Sequence, residues 1–121
     1  MRDHKQLRAF VLADELTIEI YAISKYFPKE AIFGLTSQIR RAVVSVPSNI
    51  VEGCARESQN EYHRFLEIAF GSLREMHYQF DLAFRLGFVS EQDFSVMVNK
   101  FLETEKVLGS LVRSMRNSKS L

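Results

Sequence analysis

Residues 35–53, LTSQIRRAVVSVPSNIVEG, decide the fold of this chain. At about 100° per residue, apolar side chains recur on one face of this stretch, with the spacing of a helix that buries one side. They are Leu35, Ile39, Ala42, Val43, Val46 and Ile50. A second apolar strip comprises Val44, Pro47, Val51 and Ala55. Two apolar strips predict that the helix is contacted from two directions, by its own domain and by another copy or a partner.

A polar strip separates the two apolar strips. Its members are Gln38, Arg41, Ser45, Ser48, Asn49, Glu52 and Arg56. A buried polar group without a partner costs about 1–3 kcal/mol, and more if it is charged, so these side chains are solvated or hydrogen-bonded. We interpret them as a network that sets helix register and the subunit interface, with Glu61, Arg64 or Glu75 as further partners. Two alternatives stay open, a solvated face and a nucleic-acid surface.

Pro47 lies in the middle of the predicted helix. A proline in a helix removes one backbone donor and clashes with the carbonyl four residues back, here that of Val43, at about 3 kcal/mol. The apolar repeat nevertheless continues across Pro47, which favours one continuous helix with a kink there. The alternative is two helices, the second starting at the proline. Ser45, Ser48 and Asn49 are expected to bond the backbone groups that a kink frees.

This segment resembles a known family. The runs LTSQIRR and SVPSNIVEG, followed by Arg56, are similar to the four-helix-bundle proteins encoded in 23S ribosomal RNA intervening sequences, which are related to the accessory protein of diversity-generating retroelements. The similarity continues at Glu61, Arg64, Phe65, Ile68, Ala69, Gly71, Ser72, Leu73 and Glu75. The resemblance implies a four-helix bundle that forms a ring, a homopentamer in the retroelement branch, without known catalysis. It also implies nucleic-acid binding and, in the retroelement branch, a reverse transcriptase as protein partner.

The composition predicts a single all-α domain over residues 1–121. The chain has only 2 prolines and 5 glycines, and long periodic runs with few turn residues favour helices over sheets. Four helices are predicted, over about residues 5–27, 35–56, 58–86 and 90–116. Their short connections favour an antiparallel up-down-up-down bundle.

Capping residues mark several predicted helix starts. A serine or threonine hydroxyl at the N-cap accepts a hydrogen bond from a backbone N–H in the first turn. Ser58 stands three residues before Glu61, which is the capping-box spacing. Ser90 opens the fourth helix, and Thr36 or Ser37 is expected to cap the second.

No pattern in the sequence indicates catalysis, a metal or a cofactor. Bundles that hold di-iron sites carry a Glu-x-x-His motif on their helices. Asn60 occupies the glutamate position before His63, and Arg74 occupies it before His77. We therefore expect a non-enzymatic protein with no metal, no cofactor and no small-molecule substrate.

The sequence favours a cytoplasmic location. Cys54 is the only cysteine, so no disulfide forms within one chain. No apolar run approaches the ~20 residues that a membrane span needs. The first ten residues also lack the apolar region of a signal peptide.

Basic residues fall into two clusters. The net charge is only +1, so a nucleic-acid-binding surface needs its positive charge concentrated. One cluster is Arg40, Arg41, Arg56 and Arg64, and the other is Arg113, Arg116 and Lys119. The second also suits the negative end of a helix dipole. We expect a homo-oligomer that binds structured RNA or DNA mainly through phosphates; the alternative is a scaffold or accessory subunit that docks a partner enzyme.

Overall fold

The computed structural model describes the backbone of residues 2–120 and the side chains of residues 2–117. Within that range the chain forms four α-helices, two short 3-10 helices and no strand. The α-helices are α1 (Arg8–Ser24), α2 (Leu35–Cys54), α3 (Gln59–Arg85) and α4 (Glu91–Ser120). The 3-10 helices, His4–Gln6 and Lys29–Ala31, precede α1 and α2 respectively. The all-α prediction is confirmed.

The helices form an antiparallel bundle around one core. Each helix packs against its neighbours in sequence, α1 also packs against α4, and the contact between α2 and α3 is the most extensive. Along that contact Gly53 meets Tyr62, and Ser45 meets Ser72. Residue numbers therefore rise along one helix as they fall along the other. The remaining neighbouring pairs follow the same order.

Apolar side chains from all four helices fill the core. The largest fully buried ones are Ile20, Ile39, Val43, Val46, Ile50, Leu66, Leu73, Met76, Phe80, Met97, Phe101 and Leu108. They recur every three or four residues, as the sequence periodicity predicts. Burying each of them contributes about 1.5–3 kcal/mol relative to leaving it exposed.

Helix bounds differ most from the prediction at both ends of the first helix and at the end of the fourth. The first helix spans Arg8–Ser24 rather than 5–27, since His4–Gln6 form a 3-10 helix and Pro28 disfavours helical geometry in the residue before it. The chain leaves the helix early enough for Phe27 to turn into the core, where it is 7% exposed. The fourth helix continues to Ser120, four residues beyond the predicted end.

Helix α2 runs unbroken through Pro47, so the alternative of two helices is not observed. The proline has no N–H to offer the Val43 carbonyl. That carbonyl instead lies 3.2 Å from the Thr17 hydroxyl of α1, which shares its hydrogen between this carbonyl and that of Ala13 at 2.9 Å. Asn49 Nδ2 donates to the Ser45 carbonyl at 2.7 Å. A neighbouring helix thus supplies a contact to the carbonyl that Pro47 leaves without its usual donor, which the sequence analysis missed. The kink itself stays a prediction.

Gly53 permits a close approach between α2 and α3. A Cβ at this position would lie 2.9 Å from Phe65 Cβ and 3.3 Å from Tyr62 Cδ1. Any larger residue must therefore push the helices apart. Gly71 differs, because a Cβ there would meet no atom within 4 Å.

Two of the three predicted caps are present. The hydroxyls of Ser58 and Ser90 accept hydrogen bonds from the backbone N–H three residues on, at 2.9 and 3.1 Å. The cap predicted for α2 at Thr36 or Ser37 is wrong. Helix α2 begins two residues earlier than that prediction allows, with Gly34 as its N-cap and no side-chain cap.

Candidate nucleic-acid interface

The polar strip of α2 borders a cleft against α3 of about 450 Å³. The cleft is lined by Gln38, Arg41, Ala42, Ser45, Ser72, Glu75 and Gln79. Within it the hydroxyls of Ser45 and Ser72 hydrogen-bond at 2.8 Å, and Asn49 Nδ2 donates to Ser45 Oγ at 2.9 Å. The strip therefore bonds α3 through Ser72, not through the partners proposed from the sequence.

The other members of the strip form separate, local contacts. Glu52, in the last turn of α2, pairs with Arg56, two residues beyond the end of the helix, at 2.7 Å. Arg41 Nη2 donates to Ser37 Oγ at 3.4 Å, and Gln38 is exposed at the mouth of the cleft. Three small groups thus replace a single continuous network, and a role for the strip in a subunit interface stays a prediction.

Arginines from several elements meet at one end of the bundle. Arg56 and Arg64 lie over the ring of Phe65, with guanidinium carbons 5.0 and 5.9 Å from its centroid. The last turns of α4 pack near the start of α3. There Arg116 Nη2 donates to Glu67 Oε2 at 3.4 Å, and Arg113 Nη2 donates to Ser110 Oγ one turn back on α4 at 3.2 Å. The Lys119 side chain lies outside the described residues. We call the group Arg2, Arg56, Arg64, Arg113 and Arg116 the arginine end.

Arg2 is the member that sequence analysis missed. Its guanidinium carbon lies 4.0 Å from the Tyr62 ring centroid, and Nη1 donates to the Arg56 carbonyl at 2.6 Å. It also contacts the Gln59 side chain. No local pattern signals this role, because Arg2 is more than fifty residues from each contact.

Carboxylates neutralise part of the arginine end. Arg56 pairs with Glu52 at 2.7 Å and Arg116 with Glu67 at 3.4 Å. Such exposed pairs contribute about 0–1 kcal/mol to stability and are weakened by salt. Arg64 and Arg113 are exposed and take part in no ion pair among the described residues.

The first predicted arginine cluster does not gather at one place. The helical segment from Arg40 to the end of α2 at Cys54 is about 21 Å long at about 1.5 Å per residue, and Arg56 lies two residues beyond that end. Arg40 lies at the opposite end of the bundle, where Nε donates to Ser24 Oγ at 2.7 Å. Arg41 lines the cleft between them. Closeness in sequence is therefore a poor guide to clustering along a helix of this length.

A match to a family profile shows which family the chain belongs to. The profile of the 23S rRNA-intervening sequence proteins matches residues 5–110. The chain belongs to this family. The resemblance noted from LTSQIRR and SVPSNIVEG is thereby confirmed, and the motif glycine of this intervening-sequence protein is the one at the close approach of α2 and α3.

A solved structure supports the fold of this intervening-sequence protein. The chain is similar to a protein of unknown function from the S23 ribosomal protein family of Bacteroides thetaiotaomicron, with a TM-score of 0.79 and 24% sequence identity. The match covers 87% of this chain and 95% of the other. At this identity the likeness shows the fold alone. No functionally curated protein matches the sequence.

A buried carboxylate between α3 and α4 is a feature that sequence analysis missed. Glu105 is 9% exposed, accepts from Arg74 Nη1 at 2.9 Å and lies 2.5 Å from His77 Nδ1. A signal was present, because positions 104 and 105 fall in the apolar phase of α4 between Phe101 and Leu108 but are polar. With both partners in place, Glu105 joins the two helices of this intervening-sequence protein.

Two titratable groups are buried beside the arginine end. Burial raises the pKa of the Cys54 thiol and of the Tyr62 hydroxyl above their ordinary values. Both groups are therefore neutral at pH 7, and a neutral thiol is a poor nucleophile.

Residues 2–117 contain no group of three side chains placed to hold a metal ion. Among the helices that the structure describes, none has the length and hydrophobicity for a membrane span.

Proposed function

We propose that this intervening-sequence protein is a non-catalytic, cytoplasmic homo-oligomer that associates with structured RNA through its phosphates. The arginine end is the observation that carries this proposal. Guanidinium groups suit phosphate because they present parallel N–H donors to two oxygens. Arginines from the N-terminal segment, from the residues directly after α2, and from α3 and α4 lie at this end, and three of them, Arg2, Arg64 and Arg113, have no carboxylate partner among the described residues. The family name refers to an intervening sequence of 23S rRNA, so a fragment of that RNA is the first ligand to test.

An exposed apolar surface supports association between copies. Ile18 is 68% exposed and, with Tyr21, Ala22 and Val44, borders a groove of about 510 Å³ between α1 and α2. Val51, on the second apolar strip of α2, is 38% exposed. Contiguous exposed apolar surface marks interaction sites. In a ring, which we propose to be a pentamer, the arginine end repeats around the axis and raises the local positive potential.

The same groove favours one alternative, a scaffold or accessory subunit that docks a partner enzyme such as a reverse transcriptase. The two proposals differ in what covers the groove. The molecular mass in solution separates them, because a stable monomer leaves the groove free for a different protein.

Binding of a structured RNA at two salt concentrations tests the proposal, with the mass recorded on the same sample. Affinity should fall steeply with salt, with a log–log slope of about −0.7 to −0.9 for each phosphate contact. The double variant Arg64→Ala/Arg113→Ala should bind at least about tenfold more weakly and show a shallower slope. Its matched control is Arg8→Ala/Arg85→Ala, which removes two exposed, carboxylate-paired arginines elsewhere. An intact oligomer that binds no RNA at low salt would end this proposal and favour the protein-docking alternative.

A further inference from the structure

A second basic feature lies at the opposite end of the bundle from the arginine end. There the end of α1, the 3-10 helix Lys29–Ala31 and the start of α2 enclose a pocket of about 260 Å³. It is lined by Ser24, Lys25, Phe27, Pro28, Lys29, Ile32, Thr36 and Arg40. We call it the lysine pocket. Three of these residues are cationic and none is acidic.

The first turn of α2 adds positive potential to the lysine pocket. Gly34 is its N-cap, and no side chain accepts from the first turn. The first four N–H groups of a helix have no partner within the helix. Together with the helix dipole they favour an anion at this position.

The Thr36 hydroxyl is an independent sign of a missing ligand. Thr36 is 5% exposed and lines the pocket, and its Oγ1 is buried with no hydrogen-bond partner among the described residues. Leaving such a group unsatisfied costs about 1–3 kcal/mol. A rotation about χ1 that turns this hydroxyl to the pocket surface would let a bound anion accept its hydrogen bond and remove that cost.

Arg40 is held in place at the pocket wall. Its Nε donates to Ser24 Oγ at 2.7 Å, and that hydroxyl donates to the Tyr21 carbonyl at 3.3 Å. The guanidinium carbon lies 4.9 Å from the Tyr21 ring centroid. A cation that is already ordered loses little conformational entropy when a ligand binds.

Two aromatic rings project into solvent beside the pocket. Phe33, directly before Gly34, is 97% exposed, and Tyr26, directly after Lys25, is 86% exposed. Aromatic faces next to cations are the arrangement that stacks the bases of single-stranded nucleic acid while cations contact its backbone. Free phosphate would use the pocket but not the rings.

We propose that the lysine pocket binds a backbone phosphate of single-stranded RNA and that Phe33 and Tyr26 stack on the flanking bases. The inference rests on the proposed function and goes beyond it, since it adds a second RNA contact at the opposite end from the arginine end and names the form of RNA that fits there. In a structured RNA, loops and bulges supply such unstacked bases.

A titration with inorganic phosphate, followed by amide NMR on the full chain, tests the pocket without RNA. The amides of residues 34–37 and of Lys29 should shift and saturate. Thr36→Val, which removes the unpartnered hydroxyl at nearly constant size, should weaken phosphate binding about two- to tenfold without lowering the Tm. If these amides show no saturable shift, the lysine pocket does not bind phosphate and the inference fails, whatever the RNA experiments show.

A single-stranded RNA oligonucleotide tests the stacking and the phosphate binding together. Lys25→Gln/Lys29→Gln should bind about tenfold more weakly at low salt, and its salt slope should be shallower by about 0.7 for each phosphate that the variant no longer neutralises. Phe33→Ala should bind about fivefold more weakly or worse, with an unchanged salt slope. Lys5→Gln/Lys106→Gln removes the same charge from two exposed lysines elsewhere and should bind within about twofold of the wild type.

The outcomes separate this inference from the proposed function. If the wild type binds RNA and the pocket variants match the Lys5→Gln/Lys106→Gln control, the pocket is not an RNA site and the proposed function stands. If phosphate binds the pocket but the intact oligomer binds no RNA, the proposed function fails and the RNA assignment fails with it.

Discussion

The two ends of the bundle are both basic, but they differ in what their cations contact. At the arginine end, Arg56 pairs with Glu52 and Arg116 with Glu67. At the lysine pocket no carboxylate lies among the lining residues. Positive potential depends on charge that the chain leaves uncompensated. A count of basic residues ranks the arginine end first, whereas each end has three cations without a carboxylate partner among the described residues.

The aromatic residues show the same contrast. The Tyr62 ring is 5% exposed beneath Arg2, and Phe65 lies beneath Arg56 and Arg64. Phe33 is 97% exposed. Rings at the arginine end are covered by the protein's own cations, whereas the ring beside the lysine pocket is open to a base.

The largest effect on stability is expected at Gly53, where α2 and α3 approach closely beside the arginine end. Gly53→Ala places a Cβ 2.9 Å from Phe65 Cβ and should lower the free energy of unfolding by about 1–3 kcal/mol. Gly71→Ala is the control, because its Cβ enters open space and should stabilise the helix by about 0.5–1 kcal/mol. Urea unfolding measures both. Equal stability of the two variants would refute the close approach.

A charge that is fully partnered within the chain should matter to folding but not to RNA. Glu105→Ala leaves Arg74 and His77 without their buried acceptor and should cost about 1–3 kcal/mol. Glu103→Ala, which removes an exposed pair with Arg8, should cost less than about 1 kcal/mol. RNA affinity measured on the folded Glu105→Ala protein should equal that of the wild type; a tenfold loss would show that partnered charges also contribute to binding.

Alkaline pH should lower the free energy of unfolding through the two groups buried beside the arginine end, Cys54 and Tyr62. Burial raises the pKa of Cys54 above 9.0 and that of Tyr62 above 10.0 in the folded state. Their contribution is therefore fully present below pH 9 and is lost as the pH rises through the folded values, because the unfolded chain releases these protons first. Unfolding measured from pH 7.5 to 10.5 should show a decline that is smaller in Cys54→Ala/Tyr62→Phe. The same slope in that variant would argue against this cause.

The smallest effect on stability is expected at the lysine pocket. Lys25→Gln/Lys29→Gln removes exposed cations that have no carboxylate partner among the described residues. Its free energy of unfolding should stay within about 0.5 kcal/mol of the wild type. Differential scanning fluorimetry checks this directly. A clear loss of stability would give these lysines a structural role instead.

The fold was predictable because apolar periodicity is local. Ile39, Val43, Val46 and Ile50 follow one helical phase in the sequence and are all buried in the structure. Ser58 and Ser90 were recognisable for the same reason, since their capping bonds span three residues. The α2 cap was predicted wrongly because local propensity favoured a hydroxyl where the chain uses Gly34.

The remaining features depend on contacts between distant segments. Thr17 supports Val43 from another helix, and Arg2 reaches Tyr62 from the N-terminus. The lysine pocket combines α1, a 3-10 helix and α2, and an unsatisfied hydroxyl such as that of Thr36 is defined only by its surroundings. Sequence periodicity locates the helices but does not show which polar groups are left without a partner.

Photo-crosslinking of a bound single-stranded RNA, with mass spectrometry of the crosslinked peptides, tests the central claim most directly. The lysine pocket predicts crosslinks at Phe33 and Tyr26 that disappear in Lys25→Gln/Lys29→Gln and persist in Lys5→Gln/Lys106→Gln. Crosslinks confined to residues 52–67 and 113–117, and unchanged in the pocket variant, would place the RNA only at the arginine end and contradict the claim that the lysine pocket binds it.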